Sequence, residues 1–209
     1  MIILSHRGFW LERGERNMRV AFVRSFDAGY GTETDLRDIC GKIVIAHDMP
    51  RGDEMSFEEL LQIMDGRNLP LALNIKADGQ AEKIKDLLEK YQHTNYFTFD
   101  MSIPDMRMHI VAGLNVFTGQ SDLIREPILL DKCAGVWLDA FESDWYDAAT
   151  LDDIVEKAKQ VCIVSDDLHQ RDNAYQWAQI KQSKSCQGDY LMLCTDKPDE
   201  AKEYFYGKN

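Results

Sequence analysis

The chain has 209 residues, of which 44% are apolar, and its formal net charge at pH 7 is −12. This length and apolar content predict a single domain over residues 1–209. The strong negative charge argues against nucleic acids and anionic membranes as main partners. It still allows a small phosphate-bearing substrate, provided that local cations or a metal ion attract it.

Neither a membrane span nor an export signal is predicted. No apolar run approaches the ~20 residues that cross a bilayer. The first residues also lack the basic start and long apolar region of a secretory signal. The cysteines are scattered without a C-x-x-C pair, so we expect them to be reduced and mostly packed in the core. These features predict a cytoplasmic protein, and they leave its oligomeric state open.

The first predicted elements place polar groups at the ends of apolar runs. A short buried strand over residues 2–5 leads directly to His6 and Arg7. A helix is predicted over residues 17–27, because its apolar positions share one face and glycines follow it. A second strand covers residues 32–36 and contains Glu33 and Asp35.

A tight hairpin is predicted after the second strand. Gly41 marks the turn, and the apolar run 43–46 leads back to His47. With a turn at residues 40–41, the returning strand places His47 opposite about Thr34. Glu33 and Asp35 are two residues apart and share one face of their strand. We therefore expect the imidazole to lie beside the two carboxylates.

Strands and helices alternate through the rest of the chain. Further strands are predicted at 71–76, 96–99, 115–118, 135–138, 161–164 and 190–193. Helices are predicted from an N-cap at Ser56 to about 64, and at 80–91, 104–112, 148–159, 172–181 and 198–206, with a helical or irregular link at 127–130. Eight short apolar strands interleaved with helices predict an α/β fold, a small (β/α)8 TIM barrel with a protruding hairpin after strand 2.

In such a barrel the active site lies at the carboxyl ends of the strands. The polar residues there include His6 and Arg7, Glu33 and Asp35, and Asn74 with Lys76. The other histidines, His93, His109 and His169, have no carboxylates at useful spacing and are predicted to be ordinary surface residues. Core packing is the favoured interpretation of Trp137 and Trp145.

These residues resemble the glycerophosphodiester phosphodiesterase family of phospholipase C-like barrels. The shared motifs occur in order along the chain: His6-Arg7-Gly8, Asn17, Glu33-x-Asp35, His47-Asp48, Lys76, and Thr195-Asp196-x-Pro198. The likeness is dense over residues 2–76 and thin afterwards. It implies a phosphoric diester hydrolase of lipid metabolism that acts on a glycerophosphodiester or a similar small phosphodiester.

The resemblance also implies roles for individual residues. His6 and His47 would share the acid and base work, without an assignment of which does which. Arg7 and Lys76 would bind the substrate phosphate. Glu33 and Asp35, with Asn74 as a weaker third ligand, would hold a divalent cation, Mg²⁺ or Ca²⁺.

Three departures from the family pattern keep alternatives open. Asn74 stands where the family has a carboxylate, only Asn17 remains of a Pro-Glu-Asn-Thr motif, and the usual insertion after His47 is absent. One alternative is a non-catalytic or weakly active barrel that binds a phosphorylated ligand. Another is cleavage of a lysophospholipid or inositol-type diester through a cyclic phosphate.

Overall fold

A computed structural model describes residues 1–207 as nine strands and seven α-helices. The strands are β1 Ile2–His6, β2 Gly31–Ile39, β3 Lys42–Ile45, β4 Leu71–Ile75, β5 Tyr96–Phe99, β6 Phe117–Gln120, β7 Gly135–Leu138, β8 Val161–Val164 and β9 Leu191–Thr195. The helices are α1 Arg19–Asp27, α2 Phe57–Met64, α3 Ala81–Lys90, α4 Ile103–Ala112, α5 Ala148–Ala158, α6 Ala174–Gln182 and α7 Pro198–Tyr206.

The fold class is a (β/α)8 barrel with an additional hairpin strand, β3, as predicted. Apart from β3, each strand is parallel to its paired neighbours. The parallel strands are largely buried, which explains the apolar character of β4, β7, β8 and β9, whereas β2 carries the buried Glu33 and Asp35. Four short 3-10 turns supplement the helices, at Arg13–Glu15, Leu130–Lys132, Asp166–His169 and Lys184–Gln187.

The chain divides into two compact units. One comprises Met1–Ser5 with Phe117–Asn209, and the other His6–Val116. In the first unit, β6, β7, β8, β9 and β1 pair in that order through parallel ladders. In the second, β4 lies between β2 and β5, and β3 pairs antiparallel with β2. All seven predicted site residues belong to the second unit.

The β2–β3 hairpin has the two-residue turn that the sequence predicts. Cys40 and Gly41 both have positive φ, 49° and 79°. This is the type I′ geometry, which matches the twist of two antiparallel strands. Leu36 pairs with Ile45, and the amide of Ala46 donates to the carbonyl of Asp35 at 3.0 Å. Continuing that register places His47 opposite Thr34, as predicted.

Two histidine predictions are wrong. His93 and His109 are buried rather than on the surface, with 5% and 0% of their areas exposed. Inside the second unit, His109 Nδ1 lies 3.1 Å from the Thr98 hydroxyl of β5, and Nε2 lies 3.3 Å from the carboxylate of Asp105, four residues earlier in α4. The spacing to Asp105 was visible in the sequence, whereas the burial and the contact with Thr98 depend on the tertiary fold. His169 is a half-buried residue that contacts the Asp139 carboxylate at 2.7 Å.

Other side-chain predictions agree with the structure, except that Trp145, predicted to pack in the core, is only half-buried. None of the five cysteines forms a disulfide, and all except Cys40 are buried. Trp137 is a core residue, with 6% of its area exposed. Within residues 1–207, no helix is long and apolar enough to cross a membrane.

Candidate phosphodiester site

The backbone at Arg7 and Gly8 turns sharply at the end of β1. Both residues have positive φ, 58° and 83°. The Arg7 amide donates to the carbonyl of Glu33 at 2.9 Å, and the Gly8 amide donates to the Thr32 hydroxyl at 2.9 Å. A Cβ on Gly8 would lie 2.7 Å from that of Ala21 in α1. Only glycine fits this close approach, which fixes Arg7 against β2.

Asp35 is the charged centre of the candidate site. Its side chain is fully buried, and Arg7 Nε lies 3.1 Å from Oδ2 while Lys76 Nζ lies 3.5 Å from Oδ1. Two cations therefore flank one buried carboxylate. Asp35 therefore brings together Arg7 and Lys76, the two predicted phosphate ligands. Both side chains can attract an anion.

Asn17 holds Asp35 in place. Its Nδ2 donates to Asp35 Oδ2 at 2.9 Å, and its Oδ1 accepts from the Thr34 hydroxyl at 3.0 Å. Its own amide donates to the carbonyl of Arg7 at 2.9 Å, and its φ is 59°. Asparagine tolerates this left-handed conformation better than most residues. The sequence motif included Asn17, but its role as a support for Asp35 was not predicted.

Glu33 and His6 form a second pair beside Asp35. Glu33 has 2% of its area exposed, and His6 Nε2 lies 3.8 Å from Glu33 Oε2. Burial raises the pKa of the Glu33 carboxyl well above its usual range, and the charge of Asp35 raises it further. Arg7 and Lys76 act in the opposite direction. Glu33 and Asp35 thus repel each other as charged groups, and an additional cation would relieve that repulsion.

Asn74 lies next to Asp35 in the sheet. The two residues are paired in the β2–β4 ladder, and Asn74 Nδ2 donates to Asp100 Oδ2 at 3.1 Å. The Oδ1 of Asn74 is buried without a hydrogen bond, as are Glu33 Oε2 and Asp35 Oδ1. These three oxygens belong to the three predicted metal ligands.

The donor set therefore fits a hard divalent cation, which prefers oxygen ligands. The set has few charged ligands, because within residues 1–207 no group of three carboxylate, imidazole or thiol side chains could hold a metal ion. Two carboxylates and one amide remain, and Arg7 and Lys76 already share Asp35. We expect weak binding for this reason.

His47 lies at the surface of the same unit. Its side chain is 47% exposed, and Nδ1 lies 2.9 Å from the Asp48 carboxylate, which lowers the pKa of Asp48. Within residues 1–207 it makes no ion pair with Glu33 or Asp35, so the predicted juxtaposition holds for the backbone register only. His47 and Arg7 instead line one cleft of about 630 Å³.

The cleft contains residues that sequence reasoning did not select. Three arginines line it besides Arg7: Arg13, Arg16 and Arg19. The only sequence signal was their crowding, because five of the eleven arginines of this acidic chain fall within residues 7–24.

Comparisons with known proteins find relatives by structure alone. No protein-family model and no curated protein matches the sequence. A glycerophosphodiester phosphodiesterase from Agrobacterium tumefaciens matches with a TM-score of 0.68 and 14% identity, covering 95% of this chain and 97% of its own. A phosphodiesterase from Oleispira antarctica, in complex with the product sn-glycerol-3-phosphate, matches with a TM-score of 0.67 and 14% identity, covering 98% and 96%.

The chain has the fold of the glycerophosphodiester phosphodiesterases. At 14% identity these similarities concern the fold, and they agree with the resemblance seen in the motifs. Both alignments extend over nearly the whole barrel, including the part beyond residue 76 where the motif likeness is thin.

Proposed function

We propose that the protein is a phosphoric diester hydrolase that cleaves a glycerophosphodiester or a similar small phosphodiester. The observation that carries this proposal is the buried Asp35 with Arg7 and Lys76 on its two oxygens. It fixes two cations at the carboxyl ends of β1 and β4, and barrels bind substrates at the carboxyl ends of their strands. The fold shared with two phosphodiesterases, one of them bound to sn-glycerol-3-phosphate, supports the same chemistry.

Arg7 and Lys76 bind the phosphoryl oxygens in this proposal. Asp35 contacts the guanidinium of Arg7, and Asn17 in turn holds Asp35 in place. The guanidinium therefore needs little reorganisation when the anion binds. Lys76 contributes a point charge beside the other oxygen of Asp35. Together they stabilise the negative charge that grows on the phosphoryl oxygens during displacement.

His6 and His47 move the protons. Water attacks phosphorus, one imidazole takes the proton of that water, and the other donates a proton to the departing alkoxide. Each imidazole has a carboxylate close to one ring nitrogen: Glu33 Oε2 lies 3.8 Å from His6 Nε2, and Asp48 Oδ1 lies 2.9 Å from His47 Nδ1. After one turnover the base imidazole carries an extra proton and the acid imidazole has lost one. Proton exchange with the bulk solvent returns both to their starting states.

Glu33, Asp35 and Asn74 would hold Mg²⁺ or Ca²⁺ through the oxygens that lack hydrogen bonds. A bound divalent cation supplies positive charge that polarises a phosphoryl oxygen. Without it, Arg7 and Lys76 alone oppose the charges of Glu33 and Asp35.

A panel of glycerophosphodiesters, assayed with Mg²⁺, Ca²⁺ and chelator, tests the proposal. We expect metal-stimulated release of glycerol 3-phosphate or of the free alcohol. We also expect His6→Ala and His47→Ala each to lower kcat by about 10²- to 10⁴-fold. Partial rescue by added imidazole, with an unchanged melting temperature, would separate a lost proton carrier from a damaged fold. If no diester is cleaved under any metal condition, the proposed hydrolase activity is refuted.

One observation favours a second candidate, a barrel that binds a phosphorylated ligand without turnover. Asn74 replaces a carboxylate with a neutral amide, which removes one charge from the donor set. In that case glycerol 3-phosphate binds in calorimetry while no diester is cleaved. Where cleavage does occur, phosphorus NMR of the products separates hydrolysis from a lyase-like reaction, because a cyclic phosphate has its own resonance.

A further inference from the structure

The two polar atoms of the Asn74 amide are in different environments. Its Nδ2 donates to Asp100 Oδ2 at 3.1 Å, whereas its Oδ1 is buried without a hydrogen bond. Because the amide is planar, a partner that holds the nitrogen also fixes the direction of the oxygen. Asn74 pairs with Asp35 in the β2–β4 ladder, and paired residues of parallel strands point to the same face of the sheet. The Asn74 oxygen therefore lies on the face that carries Asp35.

The backbone at Asp100 turns its carboxylate towards Asn74. Asp100 follows Phe99, the last residue of β5, and Phe99 pairs with Asn74. If the strand continued, the residue after Phe99 would point to the opposite face of the sheet. Asp100 instead has a φ of 64°, in the left-handed region that aspartate enters more readily than most residues. This turn leaves the carboxylate within hydrogen-bond distance of Asn74.

The start of the following helix does not explain the carboxylate at position 100. Helix α4 begins at Ile103, and its N-cap is Ser102, whose hydroxyl accepts the amide of Asp105 at 3.3 Å. The helix therefore has its own cap. The bond to Asn74, by contrast, connects Asp100 to the candidate cation site.

The position of Asp100 keeps its negative charge outside the buried part of the site. Glu33 and Asp35 have only 2% and 0% of their areas exposed. A third buried carboxylate beside them would add repulsion and a large desolvation cost. Asp100 is exposed, so water and ions screen its charge when no cation is bound. The neutral amide of Asn74 thus occupies the buried position, and the charge lies behind it.

We propose that Asp100 is a positioning residue of the cation site, and this rests on the proposed function. Asp100 holds the Asn74 amide so that its Oδ1 faces the cation. The charge of Asp100 also polarises the amide, which makes that oxygen more negative. Together, Asn74 and Asp100 supply the oxygen ligand and the negative charge that a single carboxylate would supply.

Calcium titrations of matched variants test this role. Asp100→Asn keeps an acceptor for the amide and loses the charge, whereas Asp100→Gly removes the side chain and accepts the positive φ. We expect the Kd for Ca²⁺, measured by calorimetry, to rise about tenfold in Asp100→Asn and further in Asp100→Gly. Asp86→Asn removes an exposed carboxylate of α3 and should change the Kd less than twofold.

Exchanging the two residues separates positioning from fold stability. Asn74→Asp/Asp100→Asn moves the charge to position 74 and keeps a donor and an acceptor in the pair. We expect this variant to bind Ca²⁺ at least as tightly as wild type, and so to rescue Asp100→Asn. A purely structural role would lower the melting temperature of the Asp100 variants without changing their Kd. An unchanged Kd in both, or no binding of Ca²⁺ by wild type, would overturn the inference.

The positioning role and the proposed hydrolase fail in different ways. If diesters are cleaved while the Asp100 variants bind Ca²⁺ as wild type does, the positioning role is refuted and the hydrolase stands. If the expected Kd pattern appears and no diester is cleaved, the hydrolase is refuted and the positioning role stands.

Discussion

Asp35 and Asn74 are paired across β2 and β4, and each has one buried oxygen without a hydrogen bond. The pairing sets a carboxylate and an amide side by side, where a third carboxylate would strengthen a cation site. It also explains why the amide is tolerated. Asn74 Nδ2 donates to Asp100, so an aspartate at this position would meet a like charge.

Asn74→Asp is expected to exchange stability for metal affinity. When chelator removes divalent cations, the new carboxylate repels the carboxylate of Asp100, and the melting temperature falls. With Ca²⁺ or Mg²⁺ the added charge lowers the Kd by about tenfold, and the melting temperature recovers. Calorimetry and thermal unfolding with and without metal measure both effects. Gln92→Glu adds the same charge at an exposed position and serves as the control. A variant that binds metal no better than wild type would exclude Asn74 from the cation site.

Replacing Asn17 tests the support behind Asp35. Asn17→Ala removes the bonds to Asp35 and Thr34 and puts alanine, which tolerates the left-handed region less well than asparagine, at a φ of 59°. Losing these bonds costs about 1 to 3 kcal/mol, and the conformation costs about 1 kcal/mol more.

Asn17→Gly keeps the conformation and loses only the side chain. We expect it to be about 1 kcal/mol more stable than Asn17→Ala, yet to show the same fall in kcat. Denaturant unfolding and steady-state kinetics give the two quantities. A normal kcat in Asn17→Gly would show that Asp35 does not need this partner.

The close contact between Gly8 and α1 predicts that adding a methyl group at position 8 destabilises the fold. Gly8→Ala combines strain at φ 83° with a contact of 2.7 Å to Ala21 Cβ, so we expect a loss of about 2 to 4 kcal/mol in the free energy of unfolding. Gly29→Ala has a similar φ, 80°, but open space around its Cβ, and should lose only about 1 kcal/mol. Chemical denaturation measures both. Recovery of stability in Gly8→Ala/Ala21→Gly would identify the steric term, and equal losses in the two single variants would contradict it.

His109 should make stability depend on pH. Burial lowers its pKa below 6.5, although Asp105 and Asp78 act to raise it. The unfolded chain therefore takes up a proton first as the pH falls through 6.5. The stabilisation present above 6.5 is lost progressively until the pH reaches the lowered pKa of the folded state.

His109→Gln removes this titration while retaining polar contacts. The free energy of unfolding, measured from pH 7.5 to pH 5, should fall less steeply in the variant than in wild type. His93, whose pKa is also lowered by burial, titrates in both proteins and cancels in the comparison. Parallel pH profiles would rule out the contribution of His109.

The sequence predicted the features of this molecule that depend on local periodicity. The alternation of strands and helices indicated the barrel, and the two-residue spacing of Glu33 and Asp35 placed them on one face. Gly41 indicated the hairpin, because a type I′ turn needs residues that accept positive φ. Each of these follows from backbone geometry over fewer than about ten residues.

What the sequence did not reveal depends on contacts across the fold. Asn17 reaches Asp35, eighteen positions later, only because Arg7, Gly8 and the following turn bring it back to β2. His109 of α4 meets the Thr98 hydroxyl of β5, a contact between two elements that local sequence does not reveal. Arg13 lines the same cleft as His47 from a 3-10 turn, Arg13–Glu15, that the sequence pattern did not predict.

The pairing of β1 with β9 sets an order of events during synthesis. Ile2 pairs with Met192, and Ser5 pairs with Thr195. The ladder between β1 and β9 therefore cannot form until almost the whole chain has been synthesised. Residues 6–116 make their own ladders much sooner. A strand paired over so long a separation closes a costly loop and slows folding. We infer that the nascent protein organises the region that holds Arg7, Asp35 and Lys76 early, and that the edge of β1 that pairs with β9 needs protection from other chains until β9 has emerged.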